Sequence, residues 1–376
     1  MSNNRIYYAI QQVAIKRDGG STYQAVHGLQ SVSTTTNFSL SQVFELGQLS
    51  IYENIEEIPE VQVSLNKVLD GYIPIYCLAT QNAVNPTLAE RANHKCCVNL
   101  TVYNESSTSA TGAPIGQMES SGLYVSSVRY SFPKDGNFAE EVSLVGNHKI
   151  WKNDSRIVNT DDLAYATAMN VSGLFGGNDS PIGLGGVARR QDLIFTGAAV
   201  PDCTKLPVDV AGISSTGVND LSDATRAHIN NISVSANINR DNLTELGRKA
   251  PYFRNPTFPI EVSTEIEIIA TSGDMISATE GGILSASDTA GCGTDSGNLP
   301  NGTIYIATCE GLRIYCGNRN KLASVNYGGG DAGGGQVNVS YTYQTFNDFT
   351  VVHSGEQGLV GVSGSGFWVD RATLLA

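Results

Sequence analysis

The chain reads as β from end to end, because its apolar residues recur in short alternating runs instead of helical stripes. The cleanest run spans 259–269. Ile260, Val262, Thr264, Ile266 and Ile268 fall on one side of a strand, and Glu261, Ser263, Glu265 and Glu267 on the other. Residues 124–132 alternate likewise, predicting Tyr124, Ser126, Val128, Tyr130 and Phe132 on one face. Residues 336–343 repeat the pattern with Val337, Val339 and Tyr341. Helical signals are few. Thr87-Leu-Ala-Glu90 after Pro86 has the spacing of a capping box and predicts a short helix reaching Arg91. Residues 222–229 are a second helix candidate.

The chain also repeats itself. At an offset of 200, Val32–Pro59 aligns with Ile232–Pro259. Ser33, Asn37, Glu45, Leu46, Gly47, Tyr52 and Pro59 then face identical residues, where unrelated sequence would match at roughly 2 positions. A second block agrees at an offset of 197. Ser127 and Tyr130 face Ser324 and Tyr327, and Gly136, Val142 and Ser143 face Gly333, Val339 and Ser340. A period near 200 is far longer than solenoid or propeller repeats and reads as a duplicated domain. The expected division is a first domain over 1–159, a Gly-rich linker over 160–200 and a second domain over 201–376.

Composition narrows the classes. With 41% apolar and only 16% charged residues over 376 positions, the chain can bury two mid-sized cores. No apolar run is long enough for a membrane helix, and the first ten residues lack the features of an export signal. The net charge of −13 disfavours gripping nucleic acid, which needs clustered cations. Seven cysteines (Cys77, Cys96, Cys97, Cys203, Cys292, Cys309 and Cys316), irregularly spaced, read as reduced and mostly buried thiols.

Motifs that resemble chemistry lack their context. Gly183-Leu-Gly-Gly-Val-Ala188 has dinucleotide-loop spacing but no surrounding βαβ unit, and is expected to be flexible linker. His94, Cys96 and Cys97 find no second half of a metal site, and neither do Cys309 and Cys316. Residues 361–366 miss the nucleophile-elbow spacing, although His353 nearby offers a base. The glycine run 328–335 lacks the Lys-Ser/Thr of a phosphate loop and reads as a hairpin connection. No enzyme and no cofactor is expected.

The polar rows are more informative. Glu261, Ser263, Glu265 and Glu267 follow Pro259; Glu60, Gln62, Ser64 and Asn66 follow Pro59, opposite Val61, Val63 and Leu65. Both copies therefore set a polar strand face without Lys or Arg at the same point of the repeat. An ordinary solvated sheet face reads the same way; a wall bordering a water-filled passage is the functional alternative.

At these residues the chain resembles the tail tube proteins of tailed bacteriophages. The likeness lies in 234–247 (Val-Ser-Ala-Asn-Ile-Asn-Arg-Asp-Asn-Leu-Thr-Glu-Leu-Gly), Pro251-Tyr-Phe-Arg254 and Pro259-Ile-Glu-Val262. Residues 127–146 are similar to the family's closing strands. The resemblance implies a mainly β chain of two tandem tail-tube-like β-sandwich or barrel domains, each with a short helix, arising from internal duplication. It further implies rings of three such chains, stacked into a tube in the virion tail and assembled in the host cytoplasm. The implied partners are tape-measure, tail terminator and baseplate proteins, a sheath if the tail contracts, and double-stranded DNA passing without specific binding. Glu60, Gln62, Ser64, Glu261, Ser263, Glu265 and Glu267 are the expected lumen residues. The loops 105–116 and 328–335 are expected to meet adjacent rings or subunits. A capsid decoration or fibre-anchoring protein is an alternative, as is a glycan-binding adhesin, which the aromatic content of 8% disfavours. A porin would need an export signal and aromatic girdles.

Overall fold

The computed structural model describes residues 5–20, 23–81, 83–104, 114–153, 186–190, 193–194, 228–270, 304–308, 310–328, 330 and 335–353. Its strands in the first half are β1 (Gln11–Arg17), β2 (Gln24–Ala25), β3 (Leu29–Asn37), β4 (Leu40–Phe44), β5 (Ile51–Glu56), β6 (Glu60–Val68), β7 (Cys96–Tyr103), β8 (Pro114–Pro133), β9 (Ala139–Gly146) and β10 (Ile150–Asn153). Then come β11 (Leu193–Ile194), β12 (His228–Asn237), β13 (Arg240–Leu243), β14 (Phe253–Pro256), β15 (Glu261–Ile269), β16 (Tyr305–Thr308), β17 (Leu312–Tyr315), β18 (Lys321–Gly328), β19 (Asn338–Phe346) and β20 (Thr350–His353). Among the described residues, two short α-helices, α1 (Ile75–Ala79) and α2 (Leu88–Arg91), and a 3-10 turn at Tyr8–Ile10 lie in the first half. The chain is mainly β.

Eight strands form one antiparallel run in the order β3-β6-β9-β8-β12-β15-β19-β18. Strand β8 is long enough to serve two neighbourhoods. Its first half pairs with β7 and β10, and its second half lies between β9 and β12.

Within the run, β3-β6-β9-β8 and β12-β15-β19-β18 have the same pairing order. They also share their irregularities. A bulge interrupts β3 between Leu29 and Ser31 and β12 between Ile229 and Asn231, 200 residues later. Another interrupts β8 between Val125 and Ser127 and β18 between Leu322 and Ser324, 197 residues later. A bulge is a specific local departure from the ladder, so matched pairs of them define the correspondence closely.

The ladder corrects the sequence alignment in two places. Leu65 stands opposite Val32, while Ile266 stands opposite Ile232, so β6 corresponds to β15 at an offset of 201. The second strand set has one more residue before β15, so Pro59 does not align with Pro259. Val142 lies opposite Leu65 and Tyr341 opposite Ile266, so the counterpart of Val142 is Tyr341, not Val339. A slip of two keeps the same sheet face, which is why hydropathy alone did not reveal it.

The back of the run is apolar and covered. Val61, Val63 and Leu65 in β6, and Val262, Ile266 and Ile268 in β15, point into one core that spans both halves. All five residues of α1 are buried against it. Ile306, Leu312, Ile314 and Val351 bring the small sheet β11-β16-β17-β20 into the same core. Each such side chain contributes about 1.5–3 kcal/mol by leaving water. The bulge at Ser126 corrects the reading of 124–132: Val125, not Tyr124, joins Val128, Tyr130 and Phe132 in that core.

Three local expectations also change. Thr87 makes no side-chain cap to α2, and the Glu90 carboxylate accepts from the Val84 and Asn85 amides at 2.7 and 3.1 Å instead of closing a capping box. His228 and Ile229 are extended in β12, not helical; 222–227 lie outside the described residues. Ala188, expected in flexible linker, is buried, donating to the Leu69 carbonyl and accepting from the Phe138 amide. Residues 183–185 and 361–366 lie outside the described residues.

His353, at the end of β20, is no solvent-facing base. Its ring is buried, its Nε2 lies 3.1 Å from the Glu310 carbonyl, and burial pushes its pKa down to about 3. An unfolded histidine titrates near 6.5, so the unfolded chain binds the extra proton as pH falls through that value. Stability from the neutral ring is therefore present above about 6.5 and lost as pH drops toward 3. A His353→Gln variant should lose less stability than the wild type between pH 7 and 4 in denaturant titrations. Equal losses would refute this account.

Candidate functional site

The front of the eight-strand run is a polar face, built because successive strand residues point to opposite sides. In β6 it carries Glu60 and Gln62, both exposed, with Ser64 and Asn66 half-buried. In β15 it carries exposed Glu261 and Glu265 with half-buried Ser263 and Glu267. The structure thus places all seven candidate residues on polar strand faces opposite the core residues, four strands apart along the ladder for Ser64 and Ser263.

Cross-strand rows tie these positions together. Ser64 stands opposite Ser33 and Ser143, with the Ser64 and Ser143 hydroxyls 3.2 Å apart. Ser263 stands opposite Ser235 and Gln344. The Gln344 amide donates to Glu261 at 2.7 Å, and the Asn338 amide donates to Glu267 at 2.6 Å. These amides satisfy carboxylates without neutralising them, so the face keeps its negative charge.

Cations are present on this face, contrary to the strand-by-strand reading. Exposed Arg129 in β8 stands opposite Glu141 and Ser235, and exposed Lys321 in β18 stands opposite Gln344. Among the described residues of the run, the face therefore carries Glu60, Glu141, Glu261, Glu265 and Glu267 against Arg129 and Lys321. Arg129 was legible in the sequence, since it alternates with Val128 and Tyr130. Its neighbours Glu141 and Ser235 were not, because only the ladder brings them alongside.

The ends of the run are its second feature. Among the described residues, β3 pairs only with β6 and β18 only with β19, so each leaves one side of its backbone open. In the middle of the run the corresponding sides are closed by the β8–β12 pairing. There Ile232, Val234 and Ala236 are buried, as are Val125, Val128 and Tyr130. Their counterparts on the open edges are Val32, Thr34 and Thr36, which are half-buried, and Leu322, Val325 and Tyr327, the last 48% exposed.

The described cysteines offer no reactive thiol. Cys77, Cys96, Cys97 and Cys316 are buried, and burial pushes the Cys96 and Cys97 thiols up and that of Cys316 up to about 12. Among the described residues no group of three or more His, Cys, Asp and Glu side chains is placed to hold a metal ion. No described helix is long and apolar enough to cross a membrane.

No protein-family model and no curated protein matches the sequence. Among solved structures, the chain is similar to one from the anti-feeding prophage baseplate, with TM-score 0.31 and 13% identity over 41% of this chain and 98% of that one. It is similar to a chain of the extracellular contractile injection system PVC sheath–tube complex, with TM-score 0.30, 12% identity and 41% and 95% coverage. It is also similar to Hcp protein, with TM-score 0.22, 12% identity and 38% and 98% coverage.

Proposed function

We propose that this chain is a structural subunit that closes into rings by pairing β18 of one copy with β3 of the next, and that stacked rings form a bacteriophage-type tail tube. The observation that carries this is the match between the open edges and the internal joint. The β8–β12 seam buries positions whose counterparts on β3 and β18 remain partly in water. Repeating the seam between chains covers both edges with a strand-pairing geometry the molecule already uses. In this reading the two strand sets descend from an internal duplication, and residues 1–159 and 201–376 are its two halves.

Closure follows from edge physics. An exposed edge templates further pairing, and a head-to-tail joint ends either in a ring or in an open filament. Strand spacing of ~4.8 Å and a tilt of ~40° set the size. Two copies, with sixteen strands, give a backbone diameter of ~32 Å; three copies, with twenty-four, give ~48 Å. Side chains remove roughly 10 Å, leaving about 22 Å or 38 Å. A DNA duplex roughly 20 Å across passes with a water layer only in the larger ring. Three copies are therefore the smallest ring that serves as a DNA conduit.

The polar face lines the bore, because the opposite face is committed to the core. Glu60, Gln62, Ser64, Glu261, Ser263, Glu265 and Glu267 lie on the inner wall. Repulsion between such a wall and phosphate acts over about 8 Å at physiological salt, comparable to the water layer. Arg129 and Lys321 are outnumbered, so the wall offers few sites for counterion-releasing contacts. Tape-measure, terminator and baseplate proteins are the partners of this role, with a sheath in a contractile tail.

Electron microscopy of the purified full chain tests the assembly, with hollow tubes of regular axial repeat expected. A protein that stays monomeric at high concentration refutes it. Replacing Glu261, Glu265 and Glu267 together with Lys should preserve rings and slow DNA release from assembled particles several-fold. Unchanged ejection kinetics would remove the lumen assignment.

A further inference from the structure

The internal seam is more than a strand pair, because the hairpin that follows β12 also sits on the first half. Arg240, the first residue of β13, lies 4.4 Å over the Tyr124 ring and donates to the carbonyls of Val125 at 3.0 Å and Ala92 at 2.5 Å. Phe253 in β14 meets Tyr124 edge-on at 6.4 Å. Arg254 donates to the Asn147 side chain at 2.8 Å.

Among the described residues, the hairpin that follows β3 has no such seat within the chain. Every residue of β4 and β5 is exposed, including Leu40, Phe44, Ile51 and Tyr52. Its register copies that of the seated hairpin: Val43 stands opposite Glu53, as Leu243 stands opposite Phe253. Glu53 is thus the counterpart of Phe253. On the receiving side, the bulge correspondence makes Lys321 the counterpart of Tyr124. An aromatic pair inside the chain maps onto a carboxylate and an ammonium, both exposed, on the two open ends.

We propose that the β4–β5 hairpin of one copy docks on β18 of the next, with Glu53 paired to Lys321 across the subunit boundary. The inference rests on the edge-to-edge joint proposed above. A carboxylate and an ammonium attract where the equivalent internal pair stacks, so the two classes of joint differ in chemistry while sharing geometry. The between-chain joint then senses salt, whereas the aromatic contact within the chain does not.

Zero-length carbodiimide treatment of tubes assembled from mixed ¹⁵N-labelled and unlabelled chains tests the contact directly. Mass spectrometry should find a Glu53–Lys321 amide-linked peptide in mixed-isotope pairs. Glu53→Lys or Lys321→Glu alone should raise the concentration needed for assembly several-fold, and the double exchange should restore it to within about twofold. Thermal unfolding of the dilute Glu53→Lys variant should match the wild type, since every residue of its hairpin is exposed. Tubes that form without this crosslink, or single variants that assemble like wild type, overturn the pairing while leaving the ring intact. A wild-type chain that never assembles overturns both.

Discussion

Thr34→Lys should abolish ring formation while leaving a folded monomer. Thr34 is half-buried on the open side of β3, and its counterpart Val234 is completely buried in the seam opposite Tyr130. Repeating that seam between chains sets Thr34 opposite Tyr327. An unpaired ammonium buried there costs several kcal/mol at every joint, and the proposed ring of three joints would carry the cost three times. In the monomer the same Lys reaches water, because an inward charge on an edge strand is a natural way to keep an edge single. Thr35→Lys is the control. Its counterpart Ser235 belongs to the polar face, so assembly should persist. Sedimentation velocity and electron microscopy distinguish the outcomes, and a Thr34→Lys protein that forms tubes like wild type refutes the edge joint.

Glu140→Leu should cause the largest loss of stability of any single substitution considered. Glu140 is fully buried in β9, where its carboxylate accepts from the Ile75 amide at 2.6 Å, the Tyr76 amide at 3.0 Å and the Tyr130 hydroxyl at 2.7 Å. Burial raises its pKa, while these donors and nearby Lys67 act to lower it. Lys67, also fully buried, donates to Asp70 at 2.5 Å and to the His27 carbonyl at 2.6 Å. Leucine fills the space but strands two amides and a hydroxyl and removes one carboxylate from the surroundings of a buried ammonium. The expected cost is about 3–5 kcal/mol. That corresponds to a fall in Tm of roughly 5–15 °C. Glu140→Gln keeps an acceptor and should fall between the two. A leucine variant melting within a degree of wild type would show that the cluster contributes nothing.

This cluster also shows where sequence reading ends. Residues 139–141 read Ala-Glu-Glu, and nothing local separates buried Glu140 from exposed Glu141 except strand parity. Parity says that the two point to opposite sides; it does not say that α1 will bring its first amides to meet one of them. The capping-box spacing at Thr87 failed for a related reason. Glu90 was free to choose any amide within reach, and the turn before the helix placed Val84 and Asn85 closer. The bulges at Gln30, Ser126, Asn230 and Ala323 left no mark in the residue types either, yet they set which side chains of β8 and β18 enter the core. By contrast, the polar face of β15 was fully legible, since Ile260, Val262, Ile266 and Ile268 alternate with its carboxylates and leave them only one side to occupy.

What the order of residues settled is the identity of the two faces: a strand repeats every two residues, so alternation assigns inside and outside without any knowledge of neighbours. The polar rows at Glu60–Asn66 and Glu261–Glu267 were read in this way, and so was the likeness between the halves. Which strands lie side by side was decided by the folded chain alone. The pairing of β8 with β12 joins segments about a hundred residues apart, and such contacts depend on shape and register summed over the whole core. That seam turns two similar strand sets into one continuous sheet. Among the described residues it also leaves β3 and β18 as matching open ends.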